Sequence, residues 1–449
     1  MTEHPDPAAL LRSKGYLGVL LISALLGVPI SAAAYGFLAL VSYLQSELFT
    51  HLPHGLGYDS APAWWPVPVL LVGAALVAVA ITTLPGGGGP SPAGGFKLHK
   101  PPTAAQLPGV VAASLATLCF GMVLGPEMPL ILLGGGLAAL VVRFARKDAP
   151  QQATSIVASA GSFAAISTLL GSPILGAFLL MEASGLGGAM LGLALVPGLL
   201  ASGIGSLIFI GLDSLTGLGT FSLAIPGLPG FSQPNIGEFG WATVIGIAAA
   251  GIGAGLHWLA PRVHQYAASR PKLVLPAGGL VVAGLAIAFA EATGKSTSEV
   301  LFSGQSQLGP LVDHAASYSA GALVLLLACK GLAYGTSLGC FRGGPIFPAM
   351  FMGAAGGMAM SHLPGLPLVA GIAMGIGAMS AVMLKLPLTS VLLATLLLGS
   401  DGLAVMPLAI VAVIVAYVAS AWIEPRPEPN EQASAAPPEP AGTAPTADR

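Results

Sequence analysis

Glu127 stands alone as a strong acid inside an apolar stretch. From Gln106 through Val142 the only other ionisable side chain is the thiol of Cys119. An ionised carboxylate at membrane depth costs at least a few kcal/mol, so a chain keeps one only with a partner, water or a task there. Around it runs Gly125-Pro126-Glu127-Met128-Pro129, a composition that breaks a helix. A new helix is expected from Pro126, with the carboxylate at its positive end. That is where an anion path would need a gate.

Two further breaks share the character of this one: Gly86-Gly87-Gly88-Gly89-Pro90-Ser91-Pro92-Ala93-Gly94, and Gly343-Gly344-Pro345-Ile346-Phe347-Pro348. Glycine removes side chains, so backbone amides can approach an ion closely. Helix N-termini then present unpaired N–H groups and a partial positive charge, a ready anion site. Three such ends meeting near the midplane would hold a small anion through Gly87, Gly88 and Gly125 without a full basic charge, and let it leave. Packing glycines and helix kinks are the plainer reading of any single break. Three breaks with one lone Glu between them favour the ion site.

The elements that must position these breaks follow from composition. The chain has 449 residues, 55% hydrophobic and 8% charged, with a mean hydropathy of +0.85. Soluble domains carry roughly 25% charged residues, so this is an all-α polytopic membrane protein of the cell membrane. A net charge of −2 argues against a nucleic-acid partner. Cys119, Cys329 and Cys340 fit no disulfide framework, and no metal-ligand spacing, nucleotide loop or catalytic triad appears. Neither a cofactor nor enzyme activity is expected.

Arg12 and Lys14 precede the apolar run Gly15–Leu44, which is too long for a signal-peptide core. It reads as a retained first helix, with 1–14 a cytoplasmic segment. Apolar blocks follow at about 65–84, 107–124, 128–144, 153–168, 172–212, 238–260, 274–292, 319–338, 346–361, 366–384, 387–399 and 404–423. Several are shorter than the roughly 20 residues a crossing needs. They suggest half-helices stopping inside the membrane, tolerated where protein or a wet cavity satisfies the freed backbone. The tail 425–449, rich in Pro, Ala and Glu, is expected to be disordered.

An internal repeat is also visible. Gly134 follows Pro129 at the interval at which Gly353 follows Pro348, and each block leads to a second proline-centred apolar segment, at Pro173 and Pro387. Corresponding broken helices in two halves, about 15–212 and 238–424, point to a transporter site at the repeat interface. Coincidence in a chain rich in Gly and Pro is the alternative.

These residues resemble the CLC chloride channels and chloride/proton antiporters. Gly121 through Pro129 looks like that family's GMVLGREGP, with Pro126 and Met128 in place of Arg and Gly. Thr336 through Pro348 is similar to its segment ending in GGxFxP, and Gly86 to Gly94 to its G-S-G-I-P-x-x-x-G loop. The resemblance covers about 16–424. It implies a CLC-like fold with an inverted repeat and half-helices meeting at the midplane, a homodimer in the lipid bilayer, and a pore in each subunit for chloride or a related anion. Glu127 matches the gating glutamate. Gly87 takes the place of an anion-binding serine, and Ser91 would replace that hydroxyl only through a register shift. Pro345 and Pro126 lack an N–H, which leaves Ile346 and Phe347 as the expected amide ligands.

Glu182, in a second apolar block, matches the first of two glutamates that the family's antiporters often carry; Ala183 takes the place of the second, the internal proton carrier. A proton path through Glu127 and Glu182 and a structural role for Glu182 both stand. Residues 424–449 hold no tyrosine to cover an inner site; Tyr417 reads as a packing aromatic. Lys330 and Lys385 are expected at helix ends, snorkelling or drawing anions in, and Arg342 beside a vestibule. Arg143, Arg146, Lys147 and Asp148 read as a solvated turn, and His99 and His264 as facing water. The sequence thus favours passive, Glu127-gated chloride conduction over chloride/proton exchange or a fluoride-type variant. A sodium-coupled solute carrier would want more intramembrane acids than this chain has.

Overall fold

The computed structural model describes residues 12–145, 150–185, 188–216, 225, 228–231 and 233–424. The tail 425–449, residues 1–11, and Arg146, Lys147 and Asp148 lie outside the described residues. The first half contributes α1 (Lys14–Ser46, prolonged by a π-turn and a last turn to Gly55), α2 (Pro66–Thr83), α3 (Leu107–Leu118), α4 (Glu127–Ala145), α5 (Gln151–Leu170), α6 (Pro173–Ser184) and α7 (Gly188–Thr216). The second contributes α8 (Ile236–Ser269), α9 (Pro271–Thr293), α10 (Gln305–Asp313), α11 (Ala320–Cys340), α12 (Ile346–Met360), α13 (Leu368–Leu384), α14 (Pro387–Leu397) and α15 (Gly402–Ile423). Among the described residues nine helices are long and apolar enough to cross a membrane. The chain is an integral membrane protein.

Local chemistry sets the helix ends. Proline opens α3, α6 and α14, where its missing N–H is no loss. Ser172 caps α6 by accepting the Leu175 amide at 3.2 Å. Gly171 and Gly185, both left-handed, end α5 and α6. Gly185 therefore divides the apolar block 172–212, which the hydropathy pattern joins into one, into two helices. The helices α3, α6 and α14 run only 12, 12 and 11 residues, short of the roughly 20 that span a bilayer.

Close glycine contacts hold the central pairs. A Cβ on Gly134 of α4 would strike the Gly161 carbonyl of α5; one on Gly353 of α12 would strike the Gly375 carbonyl of α13. Without side chains the backbones touch, as small residues permit between membrane helices. The same contact thus recurs at the same interval past Pro129 and Pro348.

One end of the bundle gathers several termini. The start of α1, at Ser13 and Tyr16, shares a cavity wall with the end of α4 at Val142 and Ala145. His99 and Pro101 line another cavity with Ser155 near the start of α5 and Ser184 at the end of α6. Glu182 of α6 bonds Thr389 at the start of α14, and Lys385, just before it, pairs with Glu424 beyond α15. This end carries Lys14.

Candidate functional site

Two of the three breaks meet directly. Gly125 donates its N–H to the Gly344 carbonyl at 2.8 Å and Gly344 returns one at 2.6 Å, the sole β-bridge among the described residues. The interval from Gly125 to Gly344 equals that from Pro129 to Pro348, so the halves touch at corresponding positions. Side-chain hydroxyls stitch the flanks: Ser337 accepts from the Val123 amide at 3.2 Å, and Thr117 from the Arg342 amide at 3.2 Å. Each break then opens a helix, α4 after Pro126 and α12 after Pro345. The sequence places the start of α4 at Pro126; its first helical residue is Glu127, with the Pro126 carbonyl accepting from Leu130 at 3.0 Å.

Glu127 is completely buried. Its Oε1 accepts the Phe347 N–H at 2.8 Å, and the amides of Ile346 and of Glu127 itself bear on the same carboxyl group. Oε2 has no hydrogen-bond partner. The described ion pairs are His51–Glu47, His257–Glu424 and Lys385–Glu424, so no basic side chain balances Glu127. Peptide dipoles at two helix ends hold its charge instead.

Among the expected amide ligands, Ile346 and Phe347 converge on this point. Gly125 lies against the same carboxylate, but its N–H is donated to the Gly344 carbonyl rather than turned to that point. Tyr334, which the sequence reading passes over, is buried in α11 and donates to the Pro345 carbonyl at 2.8 Å. A tyrosine in an apolar helix gives no hint of that reach.

The first break is a run of four left-handed residues, Gly86, Gly87, Gly88 and Gly89, with φ of 84°, 58°, 72° and 91°. Glycine adopts this conformation without strain. A Cβ on Gly88 would lie 2.8 Å from that of Ala113, whereas one on Gly87 would meet nothing within 4 Å. Gly87 borders a cavity of about 260 Å³ that His264 and Arg342 also line. Arg342 donates Nε–H to the Gly89 carbonyl at 3.0 Å, joining the first break to the third. Ser91 Oγ accepts from Ala93 at 3.3 Å and lies 3.2 Å from His264 Nδ1. His264 is half-buried and 3.1 Å from the Gly339 carbonyl, not a ring turned to open water.

Glu182 lies apart from Glu127. Its Oε1 accepts from the Leu388 amide at 2.9 Å; its Oε2 accepts from the Thr389 amide at 2.7 Å and hydroxyl at 2.6 Å. It caps α14, with Ala183 beside it.

Lys330 is not a snorkelling residue. It lies within α11, fully buried, and its Nζ donates to the carbonyls of Glu299, Val300, Leu301 and Phe302 at 2.8, 3.1, 3.1 and 3.4 Å. The Phe302 amide in turn donates to Gly121, ahead of the second break, at 3.0 Å. Lys385 does lie at a helix end, pairing with Glu424 at 2.7 Å. Burial would raise the Glu424 carboxyl, but hydrogen bonds from Lys385 and His257 outweigh it and hold the group below its ordinary value. All three cysteines are free and buried. Among the described residues no three His, Cys, Asp or Glu side chains gather as a metal site.

Residues 69–421 match the family described as voltage gated chloride channel. YfeO of Salmonella schwarzengrund, provisionally described as an ion-transport protein, is 28% identical over 365 residues, covering 79% of this chain and 84% of its own. A slow cyanobacterial Cl⁻/H⁺ antiporter is similar in fold at a TM-score of 0.74 and 18% identity, over 90% of this chain and 94% of that one. A CLC-type fluoride/proton antiporter aligns at 0.61 and 18%, over 90% and 96%.

Proposed function

The chain belongs to the voltage gated chloride channel family, and on that footing we propose that it carries chloride or a related small anion through the gap that Glu127 closes. The observation carrying this reading is the buried Glu127 carboxylate, held by the Phe347 amide with no basic partner among the described residues. A site that stabilises a carboxylate through peptide dipoles stabilises a halide by the same means. Ionised, Glu127 competes with the anion. Protonated, it loses most of its attraction to the amides and swings aside, leaving Ile346 and Phe347 to the anion. The end of the bundle that carries Lys14 faces the cytoplasm. The halves 15–212 and 238–424 form an inverted repeat about the Gly125–Gly344 bridge, and two subunits form a homodimer, each with its own path.

Transport is passive in this reading. Exchange needs a proton carrier on the cytoplasmic side; Ala183 is none, and both oxygens of Glu182 are engaged in capping α14. Chloride/proton exchange is the second reading, favoured by similarity to two solved antiporters and by a gate that itself takes up a proton. Purified protein in liposomes with only a chloride gradient separates the two. Passive conduction predicts chloride flux without proton movement, whereas stoichiometric proton pumping would establish exchange. Competing fluoride in the same assay tests the fluoride-type variant.

A further inference from the structure

We propose that Arg342 is the ligand of a second anion site, in the cavity that it lines with Gly87 and His264, taking small monovalent anions and favouring planar oxyanions such as nitrate. This rests on the transport reading above but assigns a separate site. Arg342 is 9% exposed and takes part in none of the described ion pairs. A buried cation without a counter-charge is costly, so its place in the fold asks for an anion. A guanidinium offers five N–H donors. Here Nε donates to Gly89 at 3.0 Å and Nη1 to Phe341 at 3.2 Å, which leaves three without an acceptor among the described residues.

The cavity has room for an ion. Its volume is about 260 Å³, and among the described residues no acid lines it. Ile81, Ala267 and Leu275 make much of the wall apolar, and a low local dielectric strengthens the attraction of a cation for an anion. The first turn of α9, at Pro271, opens on the same space and adds a partial positive charge. Gly87 also lines it and brings no side chain, and even a Cβ there would meet nothing within 4 Å.

Its position makes it a way-station. His264 and Ala267 lie near the end of α8, beyond His257, which bonds Glu424 at the Lys14 side of the bundle. In the other direction Arg342 stands two residues before Gly344, the partner of Gly125. An anion held there lies between the medium and the Glu127 gap. A planar fork suits a planar oxyanion better than an ammonium does.

The test is calorimetric titration of the purified full-length protein with chloride and with nitrate, in wild type, R342Q, R342K and E127Q. Losing a charge-assisted contact weakens binding about tenfold. R342Q is therefore expected to weaken one class of sites about tenfold and to abolish any nitrate preference. R342K restores chloride binding without that preference, and E127Q leaves the class intact. R342Q that elutes as wild type with unchanged isotherms overturns the proposal. Should R342Q not fold, bromide-soaked crystals of wild type decide. Anomalous density between Gly87, His264 and Arg342 supports the site, and density confined to the Phe347 amide overturns it. The readings fail separately: a pH-independent wild-type flux would remove Glu127 as the gate yet leave the Arg342 isotherms as they are.

Discussion

The Phe347 amide and the Glu127 carboxylate, 220 residues apart in the chain, make a buried 2.8 Å hydrogen bond. Each residue lies in the first turn of a helix that follows a broken segment, and the two segments are locked by the Gly125–Gly344 exchange. Glu127 is therefore positioned by both halves of the molecule at once. A change in either half should be felt at the carboxylate.

Gly344→Ala tests that from the second half. A Cβ there would overlap Glu127 Oε2 and come within 3.0 Å of the Glu127 Cβ. The backbone of Gly344 is not left-handed, so alanine itself is unstrained, and the flexible carboxyl end is what must yield. The expected outcome is a folded protein with the carboxylate displaced, so that basal chloride flux rises several-fold and its pH dependence flattens. A folded variant with wild-type flux and pH profile would show that the carboxylate does not occlude the path.

Glu182→Gln separates capping from proton relay. The amide cannot accept from Leu388 and Thr389 as the carboxylate does, and the loss of a helix cap costs about 1 kcal/mol. A small drop in thermal stability is expected in detergent, with the pH profile of flux unchanged. A flux that loses its pH response, or proton movement that disappears, would make Glu182 a proton carrier.

Lys330→Met removes the donor that four carbonyls share. Buried acceptors left unpaired cost roughly 1–3 kcal/mol each in unfavourable cases; partial relaxation makes a total of about 3 kcal/mol the expectation. Thermal unfolding of the solubilised protein should show a large loss, with Lys330→Arg keeping part of the stability. Equal melting of wild type and Lys330→Met would refute a structural role for this cation.

Acid should loosen the end of α15. Glu424 is held below its ordinary value because the hydrogen bonds from Lys385 and His257 outweigh burial. A depressed carboxyl contributes stability that is fully present above the unfolded pKa, about 4.3, and is lost as pH falls through the lower folded value. The group is partly exposed, with 27% side-chain exposure, so the contribution is under about 1 kcal/mol. Glu424→Gln should lower the melting temperature slightly at pH 7 and remove this group's share of the loss between about pH 5 and 3. An identical acid profile in both proteins would contradict the pairing.

Much of the architecture was legible because its causes are local. Low charge and long apolar runs demand membrane helices, and Gly-Pro clusters demand breaks in them, so all three breaks fall where composition puts them. Gly185 was hidden because one glycine among many apolar neighbours carries no sign that it will turn left-handed. Of the candidate site, Glu127 is conspicuous as a lone acid, and the Phe347 amide that meets it is one of the N–H groups the proline pattern leaves. That Gly125 spends its amide on Gly344 depends on a pairing between distant segments, which no local pattern announces. Lys330 was misread for the same reason: its acceptors, at 299–302, are 28 to 31 residues away. The interest of Arg342 lies in the acid that is missing from its surroundings, and surroundings exist only in three dimensions.

The central claim, that the Glu127 carboxylate closes an anion path and protonation opens it, is tested most directly by chloride efflux from liposomes containing wild type or Glu127→Gln, measured across pH 4 to 8. The account predicts that wild-type flux rises as the medium is acidified, while the glutamine variant, permanently neutral at that position, conducts at one rate throughout. Two profiles that rise together with acid, or a wild type that ignores pH, would contradict it.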